Sequence, residues 1–373
     1  MNMNEGPDSP ERSQTDEPNT WYDEVSARPS TLPNVTISLT GFASEDDAQR
    51  LGEIIREYLM FFGKIMDLSG LSRVWVVYDY EGTLANLERG FKTPNTLTPT
   101  KDEIGVGIAM TPAVLVDGVP QSVMVLNAFH MMALTQPDNE ELKPYYLQMA
   151  YTLAHECGHV HDLAKKMQSF PETWLSAKLS RYDGLLFGIA DSCWSEYIAS
   201  RLSALVSPIE LTGQYESTFC EQLEKGIPAI RSYLREYRMH GDVSRALTEC
   251  SYVVDKILTY ASYLFGQLDG LGKSLDEGAP KAKAALEGYP EILVLINRLE
   301  SELSALHGIY GKWPGFEVFE PLKTIALNLF SEIGLEIEQR GYTDLYVKIP
   351  ISGGTVPNLA EQMEFLMRRS AEA

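Results

Sequence analysis

The chain has 373 residues, 44% of them hydrophobic and 22% charged, the balance of a soluble globular protein with room for two or three domains. A net charge of −21 repels phosphate backbones and anionic lipid, so nucleic acid and membrane surfaces are not expected as partners. No apolar run approaches the roughly 18 residues of a membrane span, the first residues carry no hydrophobic signal region, and Cys157, Cys193, Cys220 and Cys250 have no paired metal or redox spacing, so a cytoplasmic protein with reduced thiols is expected.

Residues 1–31 are acidic, contain several prolines and lack apolar periodicity, which predicts a disordered acidic tail. Alternation predicts a strand over Val35–Leu39. Ser44, with Asp47 three residues later, marks the start of a helix running to about Met66, whose apolar stripe is Leu51, Ile54, Ile55, Tyr58 and Leu59. Arg73–Tyr80 reads as a buried strand, Gly105–Met110 and Ala113–Val116 as two more, and Asp117-Gly118 as the turn into Ser122–Asn127. Pro144 suits the first turn of a helix reaching about Met167, and Tyr182–Leu205 follows as a second helix closed by Pro208. Further helices are expected over 211–225, 228–239, 243–269, 281–308 and 319–340, with breaks at Pro228, Gly241-Asp242, Gly270 and Gly311–Gly315. A strand over Tyr342–Ile349 and an amphipathic helix over Pro357–Arg369 complete the chain. The pattern is an α+β fold, with an N-terminal half over 32–205 built on a small mixed sheet and a mostly α-helical half over 206–373.

Within the first of the long helices lies His155-Glu156-Cys157-Gly158-His159, the HExxH pattern. Two histidines four residues apart differ by about 40° around a helix, so both imidazoles can face one ion. Glu156 lies beside them, placed to act on water rather than to ligate. A catalytic zinc takes three protein ligands, so a third must come from elsewhere. Asp162 is on the same face but too close to His159 to complete a tetrahedron, and it reads better as an acceptor for an imidazole N–H. His161 faces the other way and reads as packed or solvated. A third histidine six residues after the second is the commonest alternative, and Lys165 occupies that place, which excludes it. Glu196, in the next predicted helix, is the remaining candidate, since Ser192, Cys193, Ala199, Ser200 and Ser203 share its face and would let two helices come close. The plainer reading of Glu196 is a solvated carboxylate on a tightly packed helix.

From Asn127 to Arg201 the chain resembles the gluzincin metallopeptidases, the thermolysin-like zincins. That resemblance implies a zincin-like catalytic domain with Zn2+ held by His155, His159 and Glu196, Glu156 as general base, and a peptide or protein substrate. Asn127-Ala128-Phe129 resembles the tripeptide that binds substrate backbone on the edge strand of that class, which makes Val123–Ala128 an expected edge strand and Asn127 and Ala128 expected substrate contacts. The class usually carries an aspartate four residues after the ligand glutamate to orient the first histidine; here Ser200 stands there, so either Ser200 or Asp162 is left for that role. An oxyanion donor is also required, and His240, Tyr233 and Tyr237 are candidates, with a simple helix-end histidine as the other reading of His240. Two rival readings remain: a non-catalytic zincin scaffold acting through its helical half, and a ferritin-like di-metal bundle. The intact Glu156 weighs against the first, and the absence of a second Glu-x-x-His pair weighs against the other.

Overall fold

Short runs of Val, Ile and Leu pair into one mixed sheet in the computed structural model, which describes residues 20–91, 96–99, 101–102, 105–170 and 178–352. β1 (Thr36–Thr40), β2 (Leu71–Val77) and β7 (Val119–Asn127) run parallel, with β2 in the middle of the three. β5 (Ala109–Met110) and β6 (Ala113–Val116) both pair antiparallel with β7. Their register is continuous, because Ala109 faces Leu126 and Ala113 faces Ser122; the two are one edge strand interrupted at Pro112, which has no N–H to give to a ladder. Asp117 and Gly118, with φ of 52° and 79°, form the expected two-residue turn between β6 and β7. β3 (Lys101–Asp102) and β4 (Gly105–Val106) pair only with each other, so the expected strand over 105–110 divides in two.

Alternation along β2 and β7 sorts the apolar residues between two layers. Val74, Val76, Met124 and Leu126 face a core shared with α2 (Glu45–Phe62) and the motif helix, while Val77, Val123 and Val125 face a smaller cluster with Tyr80 and Leu84 of α3 (Tyr80–Ala85). Ser44 caps α2 by accepting the Asp47 N–H. Residues 20–31 belong to this half rather than to a tail: α1 (Thr20–Ser26) buries Val25, and Thr31 donates its hydroxyl to Gly63 and Met66 carbonyls while accepting the Leu68 N–H. Two apolar residues spaced one helical turn apart, Trp21 and Val25, are too short a pattern to register against the acidic composition around them. The remainder of the expected tail, residues 1–19, lies outside the described residues, as does the expected helix over Pro357–Arg369.

After α4 (Ala128–Met131) the long helix α5 (Lys143–Ser169) carries the motif, and α6 (Arg181–Ser203) carries Glu196. The helical half continues with α7 (Leu211–His240), α8 (Val243–Gly270), α9 (Leu275–Gly278), α10 (Pro280–Glu287), α11 (Pro290–Gly308) and α12 (Glu320–Glu332). The expected break at Pro228 does not occur, because Leu223, Ile227, Ile230 and Leu234 form one buried stripe whose packing outweighs a lost helical hydrogen bond. The expected helix over 281–308 divides instead at Gly288-Tyr289, since Pro290 starts α11 at a position where a missing N–H costs nothing. The expected helix over 319–340 stops at Glu332, after which Gly334 (φ 97°) turns the chain into a hairpin of β8 (Glu336–Arg340) and β9 (Asp344–Lys348). No described helix is long and apolar enough to cross a membrane.

Two large apolar cores result, and α6 belongs to the second. Its Leu186, Ile189, Trp194 and Tyr197 pack with α8 and α12, whereas Cys157 and Val160 of α5 pack with the sheet. The division between cores therefore falls between α5 and α6, ahead of the expected boundary at 205. The seam between those two helices is where the motif sits.

Candidate metal centre

α5 and α6 touch backbone to backbone at this seam. Gly158 makes that possible, since a Cβ there would lie 2.7 Å from the Ala199 Cα. Gly266 does the same on the far side, where a Cβ would meet the Tyr197 carbonyl oxygen, so α6 is held closely between α5 and α8. The face of α6 with Ala199 and Ser200 is the one expected to permit close approach.

Glu196 consequently reaches the histidines. His155 Nε2 lies 3.1 Å and His159 Nε2 3.5 Å from the same carboxylate oxygen, Glu196 Oε2. The three form a group whose ligating atoms all lie within 4.8 Å of one another, the only such group among the described residues. Two imidazole nitrogens and a carboxylate oxygen suit zinc, and the set is mostly buried yet open, with 16% of the His159 and 21% of the Glu196 side chain exposed. Burial disfavours a charged imidazole, but the Glu196 charge and hydrogen bond outweigh it and push the His159 pKa up to about 9. Burial raises the Glu196 carboxyl, and the charge of His159 with hydrogen bonds from both imidazoles more than reverses this, holding it well below the usual carboxylate range.

Glu156 is buried beside them, and Thr111 Oγ1 donates to its Oε2 at 2.6 Å. His159 Nδ1 has Ser195 Oγ at 3.0 Å, fixing the ring through its second nitrogen. His155 Nδ1 is buried without a partner among the described residues. A wall of phenols closes the α8 side: Tyr263 stacks on the His155 ring with centroids 5.7 Å apart, and the Tyr151 and Tyr215 hydroxyls meet at 2.8 Å. Burial, then the Glu196 charge, raises the Tyr263 pKa well above its ordinary value, so this phenol stays neutral.

Several expected roles fall elsewhere. Asp162 does not reach an imidazole. It accepts from Trp194 Nε1 at 2.8 Å and Tyr310 at 3.3 Å and pairs with Lys166 at 2.7 Å, because it sits a turn beyond His159, opposite Trp194 rather than Glu196. Ser200 is fully buried and its hydroxyl has no partner among the described residues, so it orients neither histidine; its Cβ is taken up in the contact with Gly266. His161 is packed, accepting the Asp67 N–H on Nδ1, and burial pushes its pKa down to about 4. Asn127 and Ala128 do not lie on an edge. β7 is paired by β2 on one side and by β5 and β6 on the other, Asn127 caps α4 by accepting the Phe129 N–H, and Ala128 is fully buried. The edge is the 109–116 strand. Because Ile108 and Pro112 carbonyls accept from Asn127 and Val123, alternation turns the N–H and C=O of Ala109 and Thr111 away from β7, off the open edge of the sheet.

Tyr233, Tyr237 and His240 are remote. Tyr215, near the start of α7, is at the centre, which puts those three roughly 30 Å further along the same helix. His240 there accepts the Asp242 N–H. Cavities of about 580 Å³ beside Ile227, Arg231 and Glu332 and about 290 Å³ beside Trp21, Phe61 and Leu205 are lined by none of His155, Glu156, His159 and Glu196. Ser195, Thr111 and Tyr263 carried no sequence signal: each matters through a partner more than 30 residues away. No protein-family model, curated protein or solved structure matches the chain.

Proposed function

We propose that the chain is a zinc-dependent peptidase of the gluzincin type, with His155, His159 and Glu196 holding the metal and Glu156 as general base. The observation that carries this reading is the convergence of both Nε2 atoms on one Glu196 oxygen, with a buried glutamate alongside. Zinc in such a set polarises a carbonyl and lowers the pKa of water. Glu156 would accept the proton of the attacking water and deliver it to the leaving amine nitrogen, which requires a carboxylate fixed in place and ionised. Tyr263, stacked on the His155 ring, steadies that imidazole. An extended peptide has a docking edge at Ala109 and Thr111, whose outward N–H and C=O have no backbone partner among the described residues. Four cysteines, none in a disulfide, accord with a cytoplasmic setting.

The test is metal content by mass spectrometry together with cleavage of a diverse peptide library. Wild type is expected to carry close to one zinc and to cut peptides, Glu196→Ala to lose the metal, and Glu156→Gln to keep the metal and lose cleavage. A gently purified wild type without metal would sink the proposal. Zinc-loaded wild type that cuts no peptide, or none beyond the background of Glu156→Gln, would favour the non-catalytic scaffold.

A further inference from the structure

The base of an HExxH site sits on a flexible side chain with three rotatable bonds, and something must hold it. Among the described residues the partner is a single hydroxyl. Thr111 Oγ1 reaches across 45 residues of sequence to Glu156 Oε2 at 2.6 Å, a short, charge-assisted hydrogen bond. The donor is itself held from three directions. Its strand is locked to β7 on either side, by Asn127 N–H to the Ile108 carbonyl at 2.9 Å and Val123 N–H to the Pro112 carbonyl at 3.1 Å. Pro112 restricts the residue before it to extended backbone. The branched Cβ of threonine limits its χ1. Strand alternation then places Thr111 on the same face as Ala109, toward α5, while Met110 and Val114 pack into the cluster on the opposite face. A partly buried threonine on an edge strand has water available as a partner, and this one is committed to a buried carboxylate instead.

We propose that Thr111 is the positioning residue for Glu156. Its hydroxyl pins one carboxylate oxygen and leaves the other to take the proton from water. This rests on the peptidase reading. It also links the substrate-docking edge to the base, because the same strand presents Ala109 and Thr111 backbone outward and the Thr111 hydroxyl to Glu156.

The test uses full-length wild type, Thr111→Val, Thr111→Ser and Glu156→Gln. Crystal structures of the four give a readout independent of turnover. Glu156 is expected in one conformer in wild type and Thr111→Ser, and displaced or in several conformers in Thr111→Val. Glu156 retaining its wild-type conformer in Thr111→Val overturns the proposal whatever the activity. On a peptide selected from the library, Thr111→Val is expected to lower kcat by on the order of 10- to 100-fold. KM and zinc content should be unchanged, and Thr111→Ser should recover most of the rate. A wild-type kcat in Thr111→Val, or an equal loss of rate and zinc in both threonine variants, also overturns it. If wild type and Glu156→Gln cleave alike, the peptidase reading has failed, and the Glu156 conformer in Thr111→Val alone decides whether Thr111 positions this side chain.

Discussion

The closeness of α5 and α6 makes Gly158 a sensitive position although it has no side chain to offer the centre. In an open helix, replacing glycine by alanine gains about 1 kcal/mol. At Gly158 the new Cβ would lie 2.7 Å from the Ala199 Cα, 3.1 Å from its Cβ and 3.3 Å from its carbonyl oxygen. Ordinary carbon contacts lie at about 3.5–4.0 Å, so the helices must part by roughly 1 Å. All three atoms are backbone or the root of a side chain, and none can rotate aside. The upper part of the usual overpacking range, about 3 kcal/mol, is therefore expected, for a net loss of about 2 kcal/mol and a fall of several degrees in Tm. Glu196 lies one turn before Ala199, so the same parting draws its carboxylate off two imidazoles that are now 3.1 and 3.5 Å away. Calorimetry and metal analysis of Gly158→Ala read both effects. Gly188→Ala, on the exposed face of α6 with open space at its Cβ, is the control and should melt no lower than wild type. A Gly158→Ala protein that melts like wild type and holds a full zinc would refute the claim that this glycine sets the geometry of the centre.

Two more outcomes follow from the same geometry. Ser195→Ala, which removes the partner of His159 Nδ1, is expected to weaken zinc affinity about 10- to 100-fold in a chelator competition, whereas Ser200→Ala should leave it unchanged. In chelator-stripped protein the His159 pKa is raised to about 9 from an unfolded value near 6.5, so its stabilisation is fully present below about pH 6.5 and lost as pH rises through 9. Thermal melts from pH 6 to 10 should show a decline on the order of a few kcal/mol over that window, and a flat profile would count against the His159–Glu196 pair.

What could be read from sequence was local. HExxH is a spacing of four on one helix, and α5 realises it from Lys143 to Ser169. The Ser44 cap, the Asp117-Gly118 turn and the close-packing face of α6 are likewise patterns within a few residues. Errors arose where a local signal met a distant one. Pro228 is a helix breaker by itself, and a continuous buried stripe overrides it. Asn127-Ala128-Phe129 has a suggestive composition, but edge status belongs to the sheet and not to the strand, and the neighbours of β7 are set by residues 71–77 and 109–116. Asp162 has the correct angle on its own helix, yet angle says nothing of what α6 brings opposite it.

The α5–α6 seam gives Asp162 a different use. Reading down the antiparallel pair, His155 and His159 face Glu196, Gly158 faces Ala199, Asp162 faces Trp194 and Lys166 faces Asp191. An apolar seam with small residues tolerates a slip of one turn; this one does not. Sliding α6 by a turn would leave Lys166 and Asp162, 5% and 2% exposed, paired with each other but would strip Asp191 from Lys166 and the Trp194 N–H from Asp162, a loss on the order of 1–3 kcal/mol for each buried charge-assisted bond. The Asp162–Lys166–Asp191 cluster thus helps set the register that puts Glu196 opposite the histidines. The centre joins two apolar cores through a seam whose alignment is fixed by charge, so Glu196 is positioned by residues one to two turns away that make no hydrogen bond to it.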